Sequence, residues 1–203
     1  YVSVNGSDSN GDGTESSPFA TIQAGINESL SSDTVLVGPG TYNEQIDYKG
    51  KQVVVMSTSG ADSTVIYSTS NNVTFNTQEG SSAILDGFTL TGSSDYGIYI
   101  SSYGKPTLRN LVINNKKKGI YLNYDCDVTI TNVTITDNDY GIYFNSSQSA
   151  VTLTNSIIWD HTSVPIYIDA GSGITITYSD IEGGEANIGG SGSVSWGTGN
   201  ITV

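Results

Sequence analysis

Gly119-Ile120-Tyr121-Leu122 is the stretch that decides the fold, because three close copies of it occur elsewhere in the chain. They are Gly97-Ile98-Tyr99-Ile100, Gly141-Ile142-Tyr143-Phe144 and Pro165-Ile166-Tyr167-Ile168. The copies begin at residues 97, 119, 141 and 165, so their spacings are 22, 22 and 24 residues. A repeat of this length is typical of one coil of a solenoid, which buries its apolar face only by stacking on neighbouring coils.

A second repeated phrase lies between these copies, for example Leu108-Arg109-Asn110-Leu111-Val112-Ile113 and Ile130-Thr131-Asn132-Val133-Thr134-Ile135. Both phrases place apolar residues at every second position, which is the periodicity of a β-strand. Twenty-two residues are too few for a strand, a helix and a return to the same face. The pattern therefore predicts an all-β parallel β-helix with three strands per coil and about seven coils.

Three apolar walls are expected inside the coils, one for each strand. The predicted walls are Ile98, Ile100, Ile120, Leu122, Ile142, Phe144, Ile166 and Ile168; then Val128, Ile130, Val151, Leu153, Ile174 and Ile176; then Phe88, Leu90, Leu111, Ile113, Val133, Ile135, Ile158 and Ile181. Asn110, Asn132 and Asn155 recur at one bend, and we expect them to form an interior ladder of hydrogen-bonded amides. Gly87 and Tyr178 occupy the two ends of this column.

The first 33 residues differ from the repeats. Ser17-Pro18 is a good helix start, and Phe19, Ile22, Ile26 and Leu30 follow at helical spacing. We predict a capping α-helix over 18–30 that covers the open end of the solenoid and its strand edges. The predicted organisation is an N-terminal strand, an Asp/Gly-rich loop and this helix in 1–33, then the β-helix in 34–203, with first strands at Thr34–Val37, Glu44–Asp47 and Gln52–Met56.

The repeat pattern loosens beyond Gly183-Gly184, and no amphipathic or charged segment follows it. A terminal coil of a solenoid needs a polar or covered outer face to stay soluble. We therefore expect that a loop covers this end, that the chain was once longer, or that the end stacks on another molecule, including like modules.

Composition narrows the possible partners. The chain has 20 acidic and seven basic residues and a formal net charge of -13, which disfavours nucleic acid and anionic membranes. No apolar run approaches the length of a membrane span. Cys126 is the only cysteine and is expected to be a buried structural thiol. No signal peptide precedes Tyr1, so a secreted protein would already have lost it.

The repeats resemble those of the pectin-lyase-like right-handed parallel β-helix superfamily. The opening Asp12–Gln23 and Asp33–Tyr42 are similar to the N-terminal cap and first coil of secreted bacterial members. These members include polysaccharide lyases of the chondroitinase B and alginate lyase type and surface proteins of unknown activity. The resemblance implies a right-handed helix and a secreted or cell-surface location of bacterial or archaeal type. It does not imply one function, because the scaffold hosts lyases, hydrolases, esterases and inert fibres.

The tyrosines of the repeated phrase are the first candidate site. Tyr99, Tyr121, Tyr143 and Tyr167 alternate with inward isoleucines, so strand geometry turns them outward in a row. Aromatic faces can stack on sugars, and the hydroxyls can bind sugar hydroxyls. The resemblance implies that this strand carries the substrate groove in the enzymes. The other interpretation is that tyrosine simply suits an exposed strand position.

Threonines form a second outward pattern in Thr129-Ile130-Thr131, Thr152-Leu153-Thr154 and Thr175-Ile176-Thr177. Two such columns make a lattice of hydroxyls and methyls like that of an ice-binding face. Asp86 and Arg109 interrupt the columns, and threonine is in any case a favoured strand residue.

Charged residues precede the repeated phrase. Asp95, Lys117 and Asp139 alternate in sign along the stack, and Lys118 falls between Tyr96 and Tyr140, where a cation–π contact is expected. Lys117 is a candidate base for abstracting the C5 proton of a uronate. A lyase also needs a group that holds the substrate carboxylate, and Arg109, the only arginine, is predicted on a different face.

A glycoside hydrolase needs two carboxylates at a defined separation across a groove. Asp137, Asp139, Asp160 and Asp169 are available, with His161 nearby. None of them forms the paired-Asp or Gly-His-Gly motif of the pectin hydrolases, and aspartates in turns usually serve turn geometry.

Asp8, Asn10 and Asp12 resemble the start of a calcium loop. Phe19 stands where the bidentate glutamate of such a loop belongs, so a plain Asx-rich turn is the competing interpretation. Ca²⁺ is the one cofactor that the sequence suggests.

The sequence favours an extracellular module without catalytic activity that contacts neutral glycans through the tyrosines or assembles with like modules. A polysaccharide lyase or glycoside hydrolase is the alternative, and ice binding is the third. Weak catalytic candidates are Lys117, Asp139, Asp160 and His161.

Overall fold

A computed structural model describes residues 1–93 and 95–201, and it is a solenoid of three parallel sheets. Each strand pairs with the corresponding strand of the next coil. The sheets contain eight, seven and seven strands, which confirms the predicted parallel β-helix of about seven coils with three strands in each. The predicted end of the β-helix at Val203 lies outside the described residues.

One sheet carries the threonine columns and is called the threonine sheet. Its strands are β1 (Thr34–Val37), β4 (Val54–Ser57), β7 (Ile84–Asp86), β10 (Thr107–Arg109), β13 (Asp127–Thr131), β16 (Ala150–Thr154), β19 (Gly173–Thr177) and β22 (Ser193–Trp196). The tyrosine sheet contains β3 (Ile46–Asp47), β6 (Val73–Phe75), β9 (Tyr96–Ile100), β12 (Lys118–Leu122), β15 (Tyr140–Phe144), β18 (Ile166–Ile168) and β21 (Gly189–Gly190).

The third sheet contains β2 (Gly40–Asn43), β5 (Thr64–Tyr67), β8 (Thr89–Thr91), β11 (Val112–Ile113), β14 (Thr134–Thr136), β17 (Ile157–Trp159) and β20 (Asp180–Ile181). A short 3₁₀ turn covers Glu185–Asn187. Of the three predicted first strands, Thr34–Val37 is confirmed, while the others are observed at Ile46–Asp47 and Val54–Ser57.

The core is the column of apolar side chains between the three sheets. Every residue of the three predicted walls is buried, with at most 3% of its surface exposed. Alternation along each strand produces this result, because parallel in-register stacking places like residues of successive coils above one another. Cys126 is buried and free, as predicted, and burial raises the pKa of its thiol to about 11.

The asparagine ladder exists, but the prediction that it is interior is wrong. Asn132 donates to Asn110 at 3.2 Å and Asn155 donates to Asn132 at 3.1 Å, yet all three residues are exposed. Their φ angles are 56° to 57°, so each is the left-handed residue of a tight bend. Left-handed backbone favours Gly and Asn, which explains why Gly87, with φ of 84°, begins this column.

Buried polar groups lie one residue further along in the later coils. The hydroxyl of Ser156 accepts from the backbone N–H of Val133, and the hydroxyl of Ser179 accepts from that of Ser156. Both serines are buried. These bonds satisfy backbone donors at a corner where the sheet ladder is interrupted.

The corners of the coil differ in length. The threonine sheet and the third sheet are joined by two residues in five successive coils, namely 87–88, 110–111, 132–133, 155–156 and 178–179. The connection from the third sheet to the tyrosine sheet ranges from two residues, 44–45, to seven, 182–188. The connection from the tyrosine sheet back to the threonine sheet ranges from two residues, 191–192, to eight, 76–83.

Glycine begins the repeated phrase because the interior leaves no room for a side chain there. A Cβ atom on Gly119 would lie 2.5 Å from Cγ2 of Ile135 and 2.7 Å from the carbonyl oxygen of Gly141. A Cβ on Gly97 would lie 2.6 Å from both Ile113 Cγ2 and the Gly119 carbonyl oxygen. The backbone of this column therefore packs directly on the isoleucine of the third sheet.

The capping helix is shorter than predicted. Helix α1 spans Ile22–Glu28, and its N-cap is Thr21, whose hydroxyl accepts from the N–H of Ala24. The prediction of a start at Ser17-Pro18 is wrong because the backbone of Phe19 pairs with Tyr1 and Ser3 instead. Ile22 and Ile26 are buried as predicted, whereas Leu30 lies beyond the helix and is 74% exposed.

Two charged side chains of the first coil hold the ends of α1. Glu44 accepts from the N–H groups of Ile22 and Gln23 at 2.8 and 3.0 Å, and burial raises its pKa. The ammonium of Lys51 donates to the carbonyls of Ile26, Asn27 and Ser29 at 2.6 to 2.8 Å. These groups satisfy backbone atoms that a helix terminus leaves unpaired.

Lys51→Met is expected to lower the free energy of unfolding by about 2 kcal/mol, since three carbonyls lose a charged donor. Lys49→Met is the matched control, because Lys49 is exposed and, within the described part of the chain, its ammonium donates to the side chain of Asn27 alone. That control should change stability by less than about 0.5 kcal/mol. Urea unfolding followed by circular dichroism measures both. Equal effects would contradict a clamping role of Lys51.

At the other end, β22 continues the solenoid. Val194 and Trp196 are half-buried and pack on the core, in register with Ile174 and Ile176 of β19. Ile201 forms an isolated bridge with Asp180. Among the described residues, no helix has both the length and the apolar character that crossing a membrane requires.

Candidate functional site: the tyrosine row and the adjoining cavity

The four predicted tyrosines form a continuous row on the outside of the tyrosine sheet. Tyr99, Tyr121, Tyr143 and Tyr167 stand in register in β9, β12, β15 and β18. Successive ring centroids are 5.7, 5.9 and 4.8 Å apart, with interplanar angles of 14° to 18°. Parallel pairing of identical strands causes this stacking, so the row follows directly from the sequence repeat.

The stacking changes how the row can contact a ligand. The sequence predicts that the ring faces stack on sugars, whereas in the structure neighbouring rings cover each other's faces. Each ring is half-buried, so the central tyrosines offer edges and hydroxyls. A row of this kind suits a ligand that makes many hydrogen bonds along its length.

Lys118 lies among the rings. Its ammonium is 5.5 Å from the ring centroid of Tyr96, 5.4 Å from Tyr121, 5.8 Å from Tyr140 and 4.6 Å from Tyr143. The predicted contact with Tyr96 and Tyr140 is therefore present and includes two tyrosines of the row. Tyr96 also stacks on Tyr121 at 4.4 Å and 7°. Contacts of a cation with several ring faces restrict how these side chains can turn.

The hydroxyls of Tyr121 and Tyr143 stay protonated at physiological pH. Burial, assisted by the neighbouring phenols, raises the pKa of Tyr121 to about 12. Burial also raises the pKa of Tyr143 and of Tyr96. The two central tyrosines of the row therefore offer neutral groups that both donate and accept hydrogen bonds.

A cavity of about 580 Å³ opens at the corner between the third sheet and the tyrosine sheet. Lys117, Asp137 and Asp139 line it, together with Tyr67, Thr91, Gly92, Ser93, Asn115 and Lys116. The structure thus brings together two of the four weak catalytic candidates, Lys117 and Asp139, and adds Asp137. The hydroxyl of Thr162 donates to Asp139 at 3.0 Å.

The other catalytic candidates do not line this cavity. Asp160 is an exposed left-handed residue whose N–H donates to Glu182. His161 is half-buried. Its Nδ1 is 3.3 Å from the carbonyl oxygen of Asn138, and its Nε2 is buried and has no hydrogen-bond partner among residues 1–93 and 95–201. Burial lowers the pKa of His161. Asp169 is half-buried just after β18, and its carboxylate accepts from the N–H of Ala170.

Lys116 lines the cavity and was not predicted from the sequence as a site residue. It is only 4% exposed, and its ammonium donates to the carbonyls of Ser68 and Ser70 at 2.7 and 2.9 Å. Burial lowers its pKa to about 8. Its position in the repeat is the feature of the sequence that could have indicated its burial. A polar residue lies three positions after a buried isoleucine of the third sheet in three successive coils, at Lys116, Asn138 and His161.

Arg109 lies on the threonine sheet, as predicted, and its Nε is 2.8 Å from Asp86. On the same sheet Thr129, Thr152 and Thr175 are exposed and in register, and Thr154 and Thr177 share a hydrogen bond of 3.1 Å. The Asp86–Arg109 pair interrupts this lattice where expected. Ice binding by this face stays a prediction.

The three predicted calcium ligands make hydrogen bonds with nearby residues of the N-terminal segment. Asp8 accepts from the N–H groups of Ala20 and Thr21 and from the Thr21 hydroxyl. Asp12 accepts from the N–H and hydroxyl of Thr14, and the N–H of Asn10 donates to Ser7. Within residues 1–93 and 95–201, no three His, Cys, Asp or Glu side chains gather as metal ligands. Calcium binding by this loop stays a prediction.

Residues 65–203 match the family described as the right-handed β-helix region, and this stretch is more than half of the chain. The chain belongs to the right-handed β-helix family. Residues 4–50 of this β-helix protein match a second family, described as a protein of unknown function (DUF1565), and they include α1 and the strands of the first coil up to β3. No curated protein and no solved structure matches the chain significantly. The right-handed β-helix family establishes the scaffold and leaves its chemistry open.

Proposed function

We propose that this β-helix protein is an extracellular or cell-surface module that contacts glycans through the tyrosine row and does not cleave them. The observation that carries the proposal is the four-coil register of Tyr99, Tyr121, Tyr143 and Tyr167. Successive ring centroids are 4.8 to 5.9 Å apart, which is similar to the length that one sugar unit adds to a linear glycan. A linear glycan lying along the row would meet equivalent hydroxyls at each coil.

Charge supports a glycan without acidic groups as the ligand. The row is made of neutral phenols, while the protein carries a formal net charge of -13. An anionic polymer approaching it meets long-range repulsion. The row's lysine, Lys118, is already engaged by four rings.

Polysaccharide cleavage is the second candidate, and the shared cavity of Lys117, Asp137 and Asp139 favours it. Two carboxylates and a lysine in one cavity beside the row could serve acid–base chemistry. Against a lyase, Arg109 is held by Asp86 on the threonine sheet and cannot neutralise a substrate carboxylate in this cavity.

Tyr121→Ala combined with Tyr143→Ala is expected to weaken glycan retention at least ten-fold, because each ring removes about 1 kcal/mol of contact. The measurement is depletion of the protein by cellulose, xylan, mannan, chitin and starch, with circular dichroism to check folding. The matched control is Tyr124→Ala with Tyr178→Ala, which removes two tyrosines that are 63% and 60% exposed and lie outside the row.

Retention by the double row variant equal to that of the wild type would contradict the contact face. Failure of the wild type to bind any of these polysaccharides would contradict glycan binding itself. The same incubations are assayed for new reducing ends and unsaturated products. Product formation that disappears in Asp139→Asn would favour the second candidate.

A further inference from the structure

Tyr67 borders two cavities at the corner between the third sheet and the tyrosine sheet. It is the last residue of β5 and is 38% exposed. The cavity of about 580 Å³ that Lys117 and Asp139 line extends from Tyr67 toward later coils. A cavity of about 290 Å³ extends toward the first coil and is lined by Asn43, Glu44, Gln45, Tyr67, Ser68 and Thr69. The two cavities share the Tyr67 side of their walls, and together they are called the corner groove.

Strand register explains why a ring stands between two open spaces. Tyr67 lies in register with Asn43 of β2 and Thr91 of β8, and both of these side chains are much smaller than tyrosine. In the part of the chain that the structure describes, no aromatic ring packs against Tyr67, unlike the stacked tyrosines of the row. Parallel stacking therefore places this ring between shorter polar side chains, where it remains accessible to a ligand.

One wall of the larger cavity is backbone that is held in place. Gly92 has φ of 122°, and a Cβ there would collide with the carbonyl of Ser68, so this position requires glycine. The ammonium of Lys116 donates to the carbonyls of Ser68 and Ser70 at 2.7 and 2.9 Å. A wall that is fixed before a ligand arrives favours binding, because little conformational freedom is then lost.

The other wall of the larger cavity carries the exposed side chains of Asp137, Asp139 and Lys117. One oxygen of each carboxylate accepts from a threonine hydroxyl, Asp137 from Thr136 at 3.2 Å and Asp139 from Thr162 at 3.0 Å. Among the residues that the structure describes, neither aspartate forms an ion pair with a lysine or arginine. The second oxygen of each carboxylate can therefore accept from a ligand hydroxyl, and Lys117 can donate.

We propose that the corner groove is a second glycan-binding site, in which one pyranose ring packs on Tyr67 and the next ring lies in the larger cavity. An aromatic ring beside a few polar groups can hold a sugar through its C–H face and its hydroxyls. The larger cavity, at about 580 Å³, lies within the roughly 300–1,000 Å³ typical of small-molecule sites. The two carboxylates favour a neutral sugar over a uronate. This inference rests on the proposed function for the class of ligand and adds a site that is separate from the tyrosine row.

NMR titration of isotopically labelled protein tests the second site, because it reports on the groove and on the row separately. The probes are cellotriose, xylotriose, mannotriose, chitotriose and maltotriose. Binding of one of them should shift the backbone amide signals of Gly92 and Asn115, which line the groove. The signals of Gly119 and Gly141, which precede tyrosines of the row, report on binding there.

Tyr67→Ala should weaken binding at the groove about ten-fold or more, since the platform for the sugar is removed. Its matched control is Tyr178→Ala, which removes a tyrosine that is 60% exposed and lies outside both cavities. Ser93→Tyr narrows the larger cavity without removing Tyr67 and should also weaken binding about ten-fold. Its control is Ala186→Tyr, which adds the same ring at an exposed position of the corresponding connection in the last coil. Both controls should bind within about two-fold of the wild type.

The two sites can fail independently in this experiment. Shifts at the row without shifts at the groove, or groove shifts that persist unchanged in Tyr67→Ala and Ser93→Tyr, would overturn the second site and leave the proposed function standing. Shifts at the groove that Tyr67→Ala removes, without any at the row, would support the second site and contradict the tyrosine row as a contact face. Absence of shifts with every trisaccharide would overturn the second site, and the polysaccharide depletion assay then decides the proposed function alone.

Discussion

Gly119→Ala is expected to lower the free energy of unfolding by about 3 kcal/mol, although it adds a single methyl group. The new Cβ would lie 2.5 Å from Ile135 Cγ2 and 2.7 Å from the Gly141 carbonyl oxygen. Neither neighbour can withdraw freely, since the isoleucine is buried in the core and the carbonyl belongs to the adjacent strand. Forcing extra volume into a packed interior costs this amount by distorting side chains and backbone.

Gly38→Ala is the matched control for this prediction. Gly38 does not have a left-handed φ, and the nearest atom to a Cβ there is the carbonyl oxygen of Val2 at 3.4 Å. Its effect should remain within about 0.5 kcal/mol. Guanidinium unfolding of both variants is the measurement. A cost for Gly119→Ala no greater than that of the control would show that the column relaxes without strain.

Lys116→Met is expected to destabilise the protein by about 2 kcal/mol at pH 7. The substitution keeps the length of the side chain but leaves the carbonyls of Ser68 and Ser70 without their charged donor. Lys117→Met, at the exposed neighbouring position, should change stability by less than about 0.5 kcal/mol. Thermal and urea unfolding distinguish the two. Equal effects would mean that the buried amine contributes nothing.

The effect of Lys116 also depends on pH, with a definite sign. Its pKa is about 8 in the folded protein against 10.5 for an ordinary lysine, so between these values the unfolded chain binds more protons. Wild-type stability therefore rises relative to Lys116→Met as pH increases from 7 to 10. Over this pH range the free energy of unfolding of the wild type should rise by about 1–2 kcal/mol relative to that of Lys116→Met. The rise is smaller than the full pKa difference implies, because the hydrogen bonds to the carbonyls favour the charged form and water reaches the cavity. A difference between the two proteins that stays constant over this range would contradict the lowered pKa.

The repeat predicts the fold well because register and burial are consequences of periodicity. Once Ile120 and Leu122 are inward and the strands are parallel, residues such as Ile142 and Phe144 must follow them, and all are buried. The N-terminal helix is predicted less well. Pro18 and Phe19 fit the sequence pattern of a helix start, but their backbone groups form hydrogen bonds with Tyr1, Ser3 and Ser7. Local sequence does not predict this pairing, because the partners lie more than ten residues earlier in the chain.

The candidate site is predicted in outline only. Alternation correctly turns Tyr121 outward, but it does not reveal that Tyr143 covers one of its faces, which requires the stacking of coils. The interior position of the asparagines is wrong because a repeated polar residue at a bend suits a left-handed turn as well as a buried ladder. Lys116 is missed because three consecutive lysines suggest a solvated run, whereas the first of them is buried and donates to the carbonyls of Ser68 and Ser70.

The two-residue corner that recurs from β7 to β20 has a consequence for how this protein can diversify. Chain length varies at the two corners that border the tyrosine sheet, and the corner opposite that sheet keeps the same length in five successive coils. Among the described residues, this corner is longer between β4 and β5, where 58–63 connect the strands, and from β7 onward the loops vary in length at the corners around the face proposed for ligands. The stacked strands fix the spacing of the tyrosine rings, whereas the loops beside the tyrosine sheet can change in length and sequence and so alter the surface around the rings.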